Sequence, residues 1–280
     1  MTQQLLNDDE IVTELDISHL VIEDDTPVDN FQSEEQQRLL VEPLYSSKVL
    51  PTPFLAAANV GLFYKLKGDP IVPDVMLSLG VQRSEDYSQR RNRSYFVWEF
   101  GKVPDVCLEI VSNQEGDELV LSQKSHQKGK TVSKKDIYAQ IGVRYYVVFD
   151  PLQQIQGPEE MNGALLRIWS IAADGYIELT PPEGITAVGQ SVWLNGVGLG
   201  LTLWEGQFEE EITRLWLRWC DRDGQVIPTG AERANQAETR ANQEETRANQ
   251  AETRANQAEA RARLLAEQLR ALGINPDEIE

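Results

Sequence analysis

Histidine and cysteine are almost missing from these 280 residues, with two of each. His19, His126, Cys107 and Cys220 stand apart, with no CxxC or HxxxH spacing, which excludes a zinc centre built on sulfur and imidazole. Both cysteines lie inside apolar segments and fit buried, reduced thiols rather than a disulfide framework. There is no apolar run of about 18 residues and no basic stretch leading into an apolar one, so neither a membrane span nor a secretory signal is expected. A cytoplasmic address follows by default.

Positive charge is also scarce. The chain has 26 Lys and Arg against 45 Asp and Glu, a net charge of −19, which argues against a nucleic-acid partner because phosphate binding wants a basic surface. The distribution weakens that objection. Residues 1–42 hold 12 acids and one arginine, and residues 231–280 hold 10 acids and 7 arginines, which leaves only −5 for 43–230. Residues 81–135 count 10 basic and 8 acidic side chains. Arg90, Arg91 and Arg93 form one group there, and Lys124, Lys128, Lys130, Lys134 and Lys135 another. Such groups either face a phosphate backbone or are solvated loop charges.

An apolar content of 41% is enough for a real core. Residues 1–30 are acidic and read as a flexible tail, 31–228 as the main domain, 229–273 as a heptad helix and 274–280 as a short tail. Ser33 before Glu34, Glu35 and Gln36 predicts an N-cap and a short helix through about Leu40, ended by Pro43. Periodicity leaves 59–66 open between helix and strand. Strands are expected over 71–79, 94–100, 105–111 and 143–149, with a hairpin over 165–179. The polar stretch 113–132 reads as a mobile surface loop, and Ser133 as the cap of a helix stopped by Gly142. The segment from Trp204 towards Trp219 reads as starting with an acidic helix; its tryptophans, like Tyr138 and Tyr146, read as packing, and Asp150 as a loop cap.

From Thr229, with Glu232 completing a capping box, Ala-Asn-Gln-x-Glu-x-Arg recurs four times at a period of seven, from Ala234, Ala241, Ala248 and Ala255. With Ala234 at position a, the d positions are Ala237, Glu244, Ala251, Ala258 and Leu265. Glutamates 238, 245, 252 and 259 fall at e, and arginines 240, 247 and 254 at g. In a parallel coil each g arginine meets the partner's e glutamate five residues on, which predicts a homodimer through 229–273. The alanine core buries little, so a helix seeking another partner stays open.

Asp74 and Glu109 stand at the edge of, or within, apolar strand segments where an unused charge is costly. Two carboxylates suffice to hold a magnesium ion, which keeps several waters and takes substrate phosphate as ligand. Lys134 lies four residues before Tyr138 on one helical face, placed to activate water or stabilise developing charge. Asp105 repeats the Pro-Asp pair and shares strand parity with Glu109, so it is an alternative ligand or a strand-start residue. A purely structural Glu109–Lys134 ion pair is the plain alternative to chemistry.

Pro73-Asp74-Val75, then Pro104-Asp105-x-x-x-Glu109-Ile110-Val111-Ser112, then Lys134-x-x-x-Tyr138-x-x-x-Gly142-Val143-x-Tyr145-Tyr146-x-x-x-Asp150-Pro151 resembles the putative restriction endonuclease (Uma2) family of the PD-(D/E)XK nuclease superfamily. The resemblance covers roughly residues 33–205. It implies an α/β (α+β) fold with a restriction-endonuclease-like mixed sheet, an αβββαβ core flanked by helices, and here a long C-terminal coiled-coil helix. It also implies a metal-dependent endonuclease acting on DNA, with Asp74, Glu109 and Lys134 catalytic, Asp74 and Glu109 holding Mg2+ (or Mn2+), and no membrane partner. Val111 occupies the place of the usual strand lysine, whose role passes to Lys134 on the helix, with Lys135 beside it. An acid from the first helix often assists in such enzymes, and Glu34 or Glu35 could serve. The rival expectation is a protein that keeps the fold without the reaction and recruits a partner through its coil.

Overall fold

The computed structural model describes residues 16–20, 30–121, 131–209 and 211–273. The outer parts of the expected N-terminal tail, the C-terminal tail, and the loop with Lys124, His126, Lys128 and Lys130 lie outside the described residues. The chain divides into two units, Met1–Ile227 and Pro228–Glu280.

In the first unit, helix α1 (Phe31–Ser47) is followed by β1 (Phe54–Ala58), β2 (Leu62–Phe63), β3 (Val75–Leu79), β4 (Tyr95–Phe96), a single turn α2 (Val97–Phe100) and β5 (Val106–Ile110). Helix α3 (Lys134–Ile141) leads to β6 (Tyr145–Phe149), the hairpin β7 (Leu166–Ala172) and β8 (Gly175–Glu178), then β9 (Ser191–Leu194), β10 (Leu199–Gln207) and β11 (Thr213–Cys220). The main sheet has the order β1-β3-β5-β6-β7-β8, with β5 and β6 parallel and the other pairs antiparallel. Helix α1, the meander β1-β3-β5, helix α3 and β6 together form the expected αβββαβ mixed-sheet core, with β2 and β4 as a small parallel pair to the side.

Strand alternation separates two cores. Val106, Leu108 and Ile110 of β5 face one side, with Leu40 and Leu44 of α1 and the inner residues of the β9-β10-β11 sheet. Cys107 faces the other side, with Met76, Tyr146, Val148 and Tyr138 of α3. Glu109 shares the parity of Cys107 and therefore points into this second core. The candidate site is on the α3 face of the sheet.

Several local expectations are corrected. Helix α1 starts at Asn30, whose side chain accepts from the Ser33 N–H, and runs through Pro43 to Ser47. Pro43 removes only one intrahelical bond, and the buried Leu39, Leu40 and Leu44 hold the helix down on both sides of it. Only Tyr95 and Phe96 of 94–100 form strand; the next four residues coil into α2 and stop at Gly101 in the left-handed region. Among the described residues of 204–219 there is no helix: β10 and β11 pair antiparallel there, and Leu199, Leu201 and Leu203 alternate at period two with Gly200 and Thr202. The alanine-rich β1 was invisible to strand propensity, and packing against β3 decides it. Leu20, within the expected flexible tail, is buried with Phe63 and Phe96.

The edge strand β11 is closed by a side chain. Leu217 lies opposite Leu203 at a position whose N–H and C=O point away from β10. Both meet buried Gln36 of α1: Leu217 N–H donates to Oε1 at 2.9 Å, and Gln36 Nε2 donates to the Leu217 carbonyl at 2.8 Å. Trp219 Nε1 donates to the Leu40 carbonyl at 2.7 Å beside them.

In the second unit, Thr229 and Glu232 form a reciprocal capping box and α4 (Gly230–Ala271) runs 42 residues, about 63 Å at 1.5 Å per residue. None of its side chains is buried, and Leu264, Leu265 and Leu272 are all exposed.

Replacing Gln36 by the similarly sized Leu leaves the Leu217 N–H and C=O without a partner. Urea denaturation is expected to show a loss of about 2–4 kcal/mol, most of it absent from an exposed control such as Gln82→Leu.

Candidate active site

The register of β3 and β5 creates the site. Val75 lies opposite Leu108 and Met76 opposite Cys107, so one further step sets Asp74 across from Glu109 with both side chains on the α3 face. Asp74 is half-buried, whereas Glu109 is only 1% exposed. The Asp74 carboxylate accepts from the Ile110 N–H at 2.6 Å on Oδ2 and from Gln37 Nε2 at 3.0 Å on Oδ1. Gln37 is itself oriented by Asn59, whose Nδ2 donates to Gln37 Oε1 at 2.8 Å.

Helix α3 supplies the other half. Ser133 caps it, as its spacing predicted, and Gly142 ends it in the left-handed region. Lys134 and Tyr138, one turn apart, both reach Glu109: Lys134 Nζ donates to Oε2 at 2.7 Å, and the Tyr138 hydroxyl to Oε1 at 2.8 Å. Each carboxylate oxygen thus has its own donor. The Lys134 side chain is 26% exposed, so the site has a dry floor at Glu109 and a solvent-facing rim at Lys134 and Asp74.

The expected polar loop turns inward before α3. Asp117, Glu118 and Leu119 are buried. The Asp117 and Glu118 carbonyls accept from the Lys134 and Lys135 N–H groups, which have no partner inside the helix, and the Glu118 carbonyl also accepts from the Tyr146 hydroxyl at 2.8 Å. This is why the segment is not a solvated loop throughout.

Burial drives the electrostatics. It raises the Glu109 carboxyl to about 8, against the opposing effect of Lys134 and with a further push from the Asp74 charge. For Lys134 burial acts to lower the value, but Glu109, Glu118 and Asp74 outweigh it, so the amine is held charged. Burial also raises the Glu118 carboxyl, with Lys134 opposing.

Other candidates lie elsewhere. Asp105 accepts from Lys102 at 2.6 Å and from the Leu79 N–H at 2.8 Å, which makes it a strand-start anchor at the opposite end of β5 from Glu109. Glu34 pairs with Arg38, and Glu35 with Arg214 at 3.0 Å, so neither first-helix acid joins the cluster. Gln37 is the α1 residue that does. Lys135 turns to the Trp169 ring, 4.3 Å from its centroid. Arg93 donates to the Tyr87 and Ser88 carbonyls of its own loop, and Arg90 to the Leu20 carbonyl, which ties that loop to the N-terminal segment. Tyr146 and Asp150 take their expected core and loop-cap roles. Sequence reasoning missed Gln37, and it missed the Tyr138 hydroxyl as a partner of Glu109. It also missed Glu118, although Leu119-Val120-Leu121 inside a polar stretch signals a return to the core.

An all-oxygen set from Asp74 and Glu109 suits a hard divalent cation such as Mg2+ or Mn2+ better than a thiolate- or imidazole-seeking metal. A buried Glu118 oxygen without a hydrogen-bond partner beside the same lysine fits a centre that accommodates further positive charge. Among the described residues no three acidic, imidazole or thiol side chains are grouped closely enough to hold an ion by themselves. No described helix is long and apolar enough to cross a membrane.

A family model described as Uma2, putative restriction endonuclease, matches residues 5–156, more than half of the chain. That description suggests nuclease activity in general terms. A search of curated proteins finds no match.

The Glu109 shift has a definite sign. Its folded value of about 8 exceeds the ordinary 4.5, so the folded state holds the proton more tightly. The resulting stabilisation is complete below about pH 4.5 and is lost as pH rises through about 8. Urea denaturation in chelator is therefore expected to show stability falling from about pH 5.5 to 8.5, with a visibly flatter profile in Glu109→Gln.

Proposed function

Because the chain belongs to the Uma2 putative restriction endonuclease family, we propose that it is a divalent-cation-dependent endonuclease hydrolysing phosphodiester bonds in DNA. The observation that carries this reading is the convergence of a strand-entry aspartate, a buried strand glutamate and a charged helix lysine on one sheet face. Asp74 and Glu109 would hold Mg2+ (or Mn2+), which would supply polarisation of the phosphoryl oxygen and a lowered pKa for bound water. Gln37 and the Ile110 N–H fix the Asp74 oxygens, and Tyr138 fixes Glu109 from behind. Lys134, with its ammonium at the rim, orients the attacking water and stabilises charge developing on phosphorus. Water adds to phosphorus as one P–O ester bond breaks, leaving a phosphate monoester on one fragment and a hydroxyl on the other. Buried free thiols suit a reducing cytoplasm.

Helix α4 is read as a parallel dimer with a second copy, which gives two sites for the two strands of a duplex. The g arginines and e glutamates support the parallel orientation, since the antiparallel one sets like charges together. The rival role, a fold-retaining assembly protein, is favoured by one observation: Glu109 is already fully satisfied by Lys134 and Tyr138.

Plasmid cleavage with Mg2+ or Mn2+ separates the two readings. Asp74→Ala and Glu109→Ala are expected to abolish it, and Lys134→Met to reduce it by about 10²-fold or more; cleavage that survives both carboxylate changes would sink the nuclease reading. For the coil, sedimentation of the full chain with Arg240, Arg247 and Arg254 all changed to Glu is expected to show monomer. Mixing it with a chain in which Glu245, Glu252 and Glu259 are changed to Arg restores a dimer. A wild-type chain that sediments as monomer at micromolar concentration rules the dimer out.

A further inference from the structure

Glu118 is 5% exposed, and its Oε2 is buried without a hydrogen-bond partner. An orphaned carboxylate oxygen of this kind is rare enough in a folded protein to require a role. Its surroundings point to one. The Asp117 and Glu118 carbonyls take the Lys134 and Lys135 N–H groups, which sets Glu118 beside the lysine that pairs with Glu109, and the charges of Lys134, Asp117 and Asp74 act on its carboxyl. The Lys134 ammonium, with three N–H groups, commits one of them to Glu109.

Charge balance sharpens the point. Burial favours the protonated form of Glu109 and Glu118, so positive charge is already drawn to this centre; with both ionised beside Asp74, the three carboxylates would exceed the single charge of Lys134 by two, which one divalent cation in place of the protons would neutralise. Glu118 is not grouped with the other two closely enough to be a direct ligand. Magnesium nevertheless keeps several of its waters, and those waters need acceptors.

We propose that Glu118 is the outer carboxylate of the cation site, its Oε2 accepting a hydrogen bond from a water bound to the cation held by Asp74 and Glu109. Glu118 is thus a positioning residue: it acts on the cation and its water without touching the phosphate. The inference rests on the reading of Asp74 and Glu109 as cation ligands.

The test is calorimetric titration of MgCl2 into the full chain without DNA. Glu118→Gln, which keeps the shape and removes the charge, is expected to weaken Mg2+ binding by about tenfold. The deficit should persist in about 0.5 M KCl, where long-range charge effects are screened. Wild-type affinity in Glu118→Gln, or a deficit that vanishes in high salt, overturns the inference while leaving the site reading intact. A wild-type chain that binds no Mg2+ overturns the site reading itself. If Glu118→Gln does not fold, Glu118→Asp, which keeps the charge but withdraws the oxygen by one methylene, carries the same expected weakening. Full affinity in that variant overturns the inference equally.

Discussion

A carboxylate placed where water cannot reach it sets the terms for the rest of the main unit. Glu109 lies in a central strand among Cys107, Val148 and Tyr146, and its oxygens are satisfied only because helix α3 brings Lys134 and Tyr138 to it one turn apart. Helix α3 in turn needs its N-terminus closed, which Ser133 and the inward-turned carbonyls of Asp117 and Glu118 do. The same turn inserts Glu118 beside Lys134. One buried charge therefore fixes the placement of the helix, the loop before it and the lysine at the rim. A structural ion pair would ask for no more than this, but it would not explain a second buried carboxylate left with an open oxygen next to the same amine.

The sequence pattern revealed this arrangement unevenly. Strands of continuous apolar residues, the cap at Ser133, the stop at Gly142 and the hairpin over 165–179 were legible because local chemistry determines them. The pairing of Asp74 with Glu109 was legible only as a motif; its geometric cause is a register between two strands about 30 residues apart, which no local rule supplies. Gln37 illustrates the limit. It sits on a helix packed against the opposite core, reaches Asp74 around the end of β3, and differs in no visible way from Gln36 beside it. The helix expected near Trp204 failed for a related reason: Glu205, Glu209 and Glu211 suggested a solvated helical face, whereas strand alternation of Leu199, Leu201 and Leu203 decides the conformation.

The acidity of the chain takes on a different meaning once it is mapped. Most of the excess belongs to residues 1–42, whereas α4, with seven glutamates and seven arginines in a regular heptad, carries no net charge, and the site region itself is close to balanced. Net charge far from zero governs solubility and non-specific association more than it governs a particular site. In α4 the charges have a geometric order that a random acidic tail would lack, and that order carries its pairing preference.

Gln36 and Gln37, adjacent on α1, give the site a temporal dependence. Gln36 completes its bonds only with Leu217, 181 positions later, whereas Gln37 orients Asp74. The helix that steadies the aspartate is therefore locked in place only after the last strand of the unit has left the ribosome and docked. A nascent or truncated chain lacking β11 holds the full set of site residues but lacks the anchor that sets their aim. Completion of the domain is thereby tied to the geometry of the candidate centre.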